Sequence, residues 1–128
     1  MKSHQLICVV DDDESVREAL EGLLRQVGYA VEVFESGEAF LRSDAPLRAS
    51  CVLLDVHMPG MNGPAVQVEL SARGHAVPVI IITAIPSDAL ESSVLGNGAV
   101  AMLVKPFAEE LLLATIRATS KGEPDERP

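Results

Sequence analysis

Cys51-Val52-Leu53-Leu54-Asp55-Val56-His57-Met58-Pro59-Gly60-Met61-Asn62-Gly63 is the stretch on which the fold turns. Four apolar residues run into a carboxylate, and a segment carrying Pro, Gly and Asn follows. A short continuous apolar run bounded by turn residues reads as a strand covered on both faces. Upstream, Leu6-Ile7-Cys8-Val9-Val10 behaves alike and breaks into Asp11-Asp12-Asp13-Glu14. Two strands that each end in acid bring several carboxylates to one edge of a sheet.

Working outward, Val79–Ile82 and Ala101–Val104 are further near-continuous apolar runs, expected to be strands covered on both faces. Tyr29–Phe34 interleaves Glu32 with Val31 and Val33 and reads as an edge strand. Between the strands lie helix candidates. Glu14–Val27 carries Val16, Ala19, Leu20, Leu23, Leu24 and Val27 as an apolar stripe, and Gly28 supplies a C-terminal stop. Gly37–Arg42 follows Ser36, and Pro64–Ala72 has Asn62 as cap and proline in its first turn. In Asp88–Leu95, Asp88 and Glu91 are spaced like a capping box, and Ala108–Thr119 closes the series. Five strands alternating with five helices predict an α/β domain with a parallel sheet and right-handed crossovers.

At 128 residues the chain has room for one domain. Residues 1–120 are assigned to it and 121–128 to a polar tail or linker stub. A hydrophobic content of 48% excludes a disordered chain. The formal charge of −9 argues against nucleic-acid binding by this domain, since phosphate backbones need clustered Lys and Arg. No run approaches ~18 apolar residues, and Met1–Gln5 has no signal-peptide core, so no membrane span and a cytoplasmic location are expected. Cys8 and Cys51 lie inside apolar runs and read as buried thiols, and no Cys/His spacing indicates zinc.

In open α/β sheets the ligand crevice lies beyond the carboxyl ends of the strands. Here the first strand offers Asp11, Asp12 and Asp13, the third Asp55, the fourth Thr83 and the fifth Lys105. Two carboxylates ~5 Å apart repel by roughly 3 kcal/mol at an effective dielectric of about 20. Three close together would cost on the order of 10 kcal/mol, comparable with the stability of a whole domain. Protons or a cation must relieve that repulsion. Oxygen ligands without His or Cys side chains favour Mg²⁺, with Mn²⁺ as the alternative. A carboxylate beside a metal and a lysine suits phosphoryl capture: its oxygen attacks phosphorus, the cations clamp the charge, and Thr83 donates a hydrogen bond.

From about Gln5 to Thr119 the chain resembles the receiver domain of two-component response regulators. The matching pieces are Val-Val-Asp-Asp-Asp-Glu at 9–14, Leu-Leu-Asp-Val-His-Met-Pro-Gly-Met-Asn-Gly at 53–63, Ile-Ile-Thr-Ala at 81–84, Gly98-Ala99 and Val-Lys-Pro-Phe at 104–107. The resemblance implies a flavodoxin-like (βα)5 doubly wound sheet of strand order 2-1-3-4-5. It implies Asp55 as phosphoacceptor, Asp12 as direct metal ligand, Asp11 as a ligand mostly through water, and the backbone carbonyl of His57 as a further ligand. Thr83 falls on the family's switch hydroxyl and Lys105 on its lysine, followed by a cis bond to Pro106. A sensor histidine kinase is the implied partner. The last helix, the last strand and Asp88–Leu95 are the implied surface for a homodimer or a downstream target.

The segment around Asp55 and the Lys-Pro-Phe ending look like regulators of the nitrogen-fixation and nitrate-response type. Those usually carry a helix-turn-helix output domain after the receiver, and this chain ends too soon to contain one. It reads equally as a single-domain regulator or as the receiver part of a longer protein.

Several residues also have plainer readings. Asp13 and Glu14 are expected to stabilise the helix dipole, and the His57 side chain to line the pocket mouth. Met102 stands three before Lys105, where the family usually has an aromatic switch, and equally suits a core methionine. Pro86 stiffens the segment after Thr83.

The expected function is a phosphorylation-dependent switch whose chemistry is confined to its own phosphorylation and autodephosphorylation. Two alternatives stand beside it. Asp11-Asp12-Asp13-Glu14-Ser15 formally matches the D-x-D-x-[ST] start of haloacid-dehalogenase-type phosphatases, with only Glu109-Glu110 as a later acidic pair. A degenerate receiver acting as a docking module is the other. Nucleotide-binding loops of the G-x-x-x-x-G-K-[ST] or G-x-G-x-x-G type do not occur.

Overall fold

A computed structural model of the chain describes residues 5–119. The segment read as a polar tail, 121–128, lies outside them. Eleven elements follow in order: β1 (Leu6–Val10), α1 (Glu14–Gln26), β2 (Ala30–Phe34), α2 (Gly37–Arg42), α3 (Ala45–Arg48), β3 (Cys51–Asp55), α4 (Gly63–Ala72), β4 (Val79–Thr83), α5 (Asp88–Gly96), β5 (Ala101–Val104) and α6 (Glu109–Thr119). All strand pairs are parallel, and the order across the sheet is β2-β1-β3-β4-β5. The reversal of direction beside β1 opens the crevice in which such sheets hold ligands.

The central strands β1, β3 and β4 are buried along their whole length, as their unbroken apolar sequence requires. Alternate residues feed two cores. Cys8, Val10, Val52, Leu54, Val79 and Ile81 pack with Phe40 of α2, Val66 and Leu70 of α4 and Val94 of α5. Ile7, Val9, Cys51, Leu53, Ile80 and Ile82 pack with Leu20 and Leu24 of α1 and Leu112 and Ile116 of α6. Cys8 and Cys51 are free thiols on opposite faces of the sheet.

Local sequence explains most boundaries. Asp13 caps α1, accepting from the N–H groups of Ser15 and Val16, and Gly28 with φ 105° ends the turn after it. Ser36 caps α2 and Asn62 caps α4. Three expectations need correction. The cap of α5 is Ser87, whose hydroxyl accepts from the Leu90 N–H, so Asp88 is the first helical residue. Helix α3, four residues with Pro46 in its first turn, was not foreseen, being too short to show a period. Finally, β5 is less fully covered than its apolar run suggested: it forms the other edge of the sheet, as the order 2-1-3-4-5 implied, and Val104 is exposed there.

Gly63 is where α4 meets the end of β3. A β-carbon there would lie 2.5 Å from the Asp55 carbonyl oxygen and 3.1 Å from Val56 Cα, both backbone atoms that cannot swing aside. Gly63→Ala should therefore destabilise the fold by about 2 kcal/mol through overpacking. Gly22→Ala, in open space on α1, should stabilise it by about 1 kcal/mol through helix propensity. Urea unfolding of the two variants checks both signs.

Candidate functional site

Strand register assembles the site. Val10 pairs with Leu54, Asp55 with Ile82, and Thr83 with Val104, so the residues that end or follow β1, β3, β4 and β5 arrive at one rim. The backbone N–H of Lys105 donates to the Thr83 carbonyl at 2.8 Å, which carries the last pairing past the strand end. The Lys105–Pro106 bond is cis, as the resemblance implied.

Lys105 sits between two buried acids. Its Nζ lies 3.2 Å from Asp11 Oδ2 and 3.1 Å from Asp55 Oδ1. Asp11 and Asp55 are 2% and 5% exposed, while the neighbouring Asp12 faces solvent. Asp11 is further held by its own strand end: its Oδ1 accepts from the Asp13 N–H at 2.9 Å, and its carbonyl accepts from Arg17 Nη1 at 2.8 Å. Arg17 is a support that sequence reading missed, because a guanidinium on a half-polar helix carries no mark of what its far end reaches.

The electrostatics follow from burial and crowding. Burial pushes the Asp55 carboxyl above its ordinary range; Lys105 pulls it down, Asp11 and Asp12 push it up, and the net shift is upward. For Lys105 burial alone would favour the neutral amine, but Asp55 and Asp11 outweigh it and raise the ammonium's pKa. One ammonium thus leaves negative charge in excess. Asp11, Asp12 and Asp55 each offer a carboxylate oxygen, all within 4.8 Å of one another. An oxygen-only set of that size suits a hard divalent cation such as Mg²⁺ or Mn²⁺.

The other sequence candidates are distributed around this centre. Thr83 is fully buried, and its hydroxyl accepts from the Ile85 N–H at 3.0 Å, pinning the loop that leads to Pro86 and α5. The His57 side chain is exposed. Met102 is half-buried opposite Ile81 and packs against the core beneath α4 and α5. Asp13 does not face the acids: its Oδ1 is occupied by the α1 cap, so the formal D-x-D phosphatase pattern lacks its second acid. Glu109 and Glu110 are exposed in the first turn of α6. That alternative has no support in this arrangement.

Comparison with known proteins places this geometry in a family. The model of the response regulator receiver domain matches residues 7–117. The response regulator protein TodT of Pseudomonas putida is 39% identical over 122 residues, covering 95% of this chain and 54% of that protein. The transcriptional regulatory protein FixJ of Azorhizobium caulinodans is 40% identical over 111 residues, covering 87% of this chain and 53% of that one. Among solved structures, a response regulator receiver protein from Burkholderia phymatum superposes with a TM-score of 0.78 at 46% identity, covering 90% of this chain and 94% of that one. The chain spans about half the length of the curated relatives it matches. With a five-stranded 2-1-3-4-5 sheet, a lysine bridging two acids at its rim and a family match along nearly its whole length, the chain belongs to the receiver domains of two-component response regulators.

Proposed function

We propose that this domain is a phosphorylation switch in which Asp55 accepts a phosphoryl group from a sensor histidine kinase. The observation that carries the reading is the position of Lys105, 3.1–3.2 Å from both Asp55 and Asp11 beside three clustered carboxylates. An Asp55 carboxylate oxygen attacks phosphorus, the bond from phosphorus to the donor imidazole breaks, and the imidazole leaves with a proton. Lys105 offsets charge on the phosphoryl oxygens, and the Thr83 hydroxyl, which already accepts from Ile85, turns its hydrogen toward one of them. Asp11, Asp12 and Asp55, with the His57 carbonyl, would hold Mg²⁺, which would supply the remaining charge neutralisation. Mn²⁺ is the substitute of the same chemistry.

The acyl phosphate carries a charge of nearly −2 beside Thr83 in place of the carboxylate's single charge. The loop from Ala84 to Ser87 leads from Thr83 to α5, and Met102 stands on β5 opposite Ile81, packed against the core. A switch signal therefore leaves through α5, β5 and α6, where Leu95, Val104 and Leu111 are exposed apolar residues, as is Val100 just before β5. A second copy of the domain or a downstream target docks there. The receiver occupies residues 1–120 and works in the cytoplasm, in keeping with the absence, among the described residues, of a helix long and apolar enough to cross a membrane.

Acetyl phosphate with Mg²⁺ should add one phosphoryl group, read by intact-protein mass spectrometry. Asp55→Asn should remove it, and Lys105→Ala should slow it by about 100-fold. Equal labelling of Asp55→Asn and wild type would sink the assignment. A second test uses stability. Because the folded state holds the Asp55 proton more tightly than the unfolded chain, ionising Asp55 weakens the fold, and stability falls as pH rises through the raised pKa. Metal-free Asp55→Asn should therefore melt above wild type at pH 7, by about 4 °C for each kcal/mol relieved. The gap should close as the pH falls through the raised pKa, and at pH 7 Mg²⁺ should stabilise wild type more than the variant. Melting curves with and without Mg²⁺ measure all three.

A further inference from the structure

The segment between β3 and α4 has a firm base and a tip held from one side. At the base, the Val56 N–H donates to the Ile82 carbonyl and the Gly63 N–H to the Val56 carbonyl, both at 3.0 Å. At the tip, the Met61 N–H donates to Glu38 Oε2 at 3.1 Å. Among the described residues, this is the hydrogen bond that ties residues 57–61 to another element. Glu38 belongs to the first turn of α2, far from Asp55 in sequence, and plays no part in the chemistry described above.

Two glycines show that the contact is built rather than incidental. Gly60 has φ +74°, and a β-carbon there would stand 2.6 Å from Glu38 Oε2, so the carboxylate occupies the space a side chain would take. Gly37, one residue before Glu38, leaves no room for a β-carbon against Val66 of α4 and lies 3.6 Å from Met61 in the same sense. The first turn of α2 is thus fitted to the far side of the loop. An ionised acceptor makes a hydrogen bond roughly twice as strong as a neutral one, which suits a loop otherwise held by the burial of Met58 and the packing of Met61 against the same core.

We propose that Glu38 is a positioning residue for the metal: by fixing the loop tip at Met61 it sets the His57 backbone carbonyl relative to Asp55 and Asp12. This rests on the metal-binding reading given under Proposed function. Groups that orient metal ligands commonly matter by about 10-fold or more in affinity when removed. The role needs above all an acceptor at this place, because what is to be held is a backbone N–H; the carboxylate's charge strengthens that bond.

Calorimetric titration of Mg²⁺ into the unphosphorylated protein tests it, alongside the Mg²⁺ dependence of acetyl phosphate labelling. Glu38→Ala should raise the Mg²⁺ dissociation constant about 10-fold. The Mg²⁺ concentration for half-maximal labelling should rise in parallel, with the deficit shrinking as Mg²⁺ saturates. Glu38→Gln, which keeps an acceptor, should restore Mg²⁺ binding most of the way, and Met61 amide hydrogen exchange should be fast in Glu38→Ala and slow in Glu38→Gln. Should Glu38→Ala fail to fold, Glu38→Asp carries the same test by withdrawing the acceptor one methylene. Wild-type affinity in Glu38→Ala or Glu38→Asp, or a Glu38→Gln no better than Glu38→Ala, overturns the proposal. A wild-type protein that binds no Mg²⁺ overturns the metal reading itself, which separates the two failures.

Discussion

The rest of the site depends on a single ammonium shared by two buried carboxylates. Lys105 reaches Asp11 and Asp55 at nearly equal distance, and neither acid can escape to solvent. A buried charge is tolerated when it is paired, and one cation between two anions pairs both incompletely. The arrangement is therefore stable enough to fold but remains receptive to further positive charge. The ends of β1 and β3 bring the acids to this rim and the end of β5 brings the one cation, so the parallel sheet is a means of holding like charges together.

Much of this was legible in the chain because the same physics writes both pattern and place. Unbroken apolar strands announced a sheet covered on both faces, and the carboxyl-end rule then collected Asp11, Asp12, Asp55, Thr83 and Lys105 without knowledge of distances. What escaped is as instructive. The four residues of α3 show no period, and the capping of α5 by Ser87 was hidden by an acidic pair of the right spacing one residue on. Arg17 and Glu38 were invisible because their partners are backbone atoms, which look alike at every position of a sequence. A helix cap is legible because its main-chain partner is local, as at Asn62; a side chain that reaches main chain elsewhere in the fold leaves no such signal.

The frame around the site is tight where it must transmit and looser where it must move. Gly63 brings α4 against the backbone of Asp55, and Gln67 on the same helix is buried with its Nε2 donating to the Val94 carbonyl at 2.8 Å. A continuous path of packed groups thus runs from the end of β3 through α4 to the end of α5. On the opposite route, Thr83 holds only the start of an exposed loop, in which Ile85 and Pro86 face solvent. Displacement at Thr83 meets little packing resistance before α5, whereas displacement of Asp55 itself would have to move a helix.

The two cysteines bear on how selective such a site can be toward reactive small molecules. Cys8 and Cys51 stand on neighbouring strands but face opposite cores, and burial pushes both thiols up to about 12. At neutral pH both are therefore held as thiols rather than as the thiolate that oxidants and electrophiles attack. The sheet also stands between them, so they are not set to bridge. Oxidants and electrophiles therefore have little purchase on either thiol.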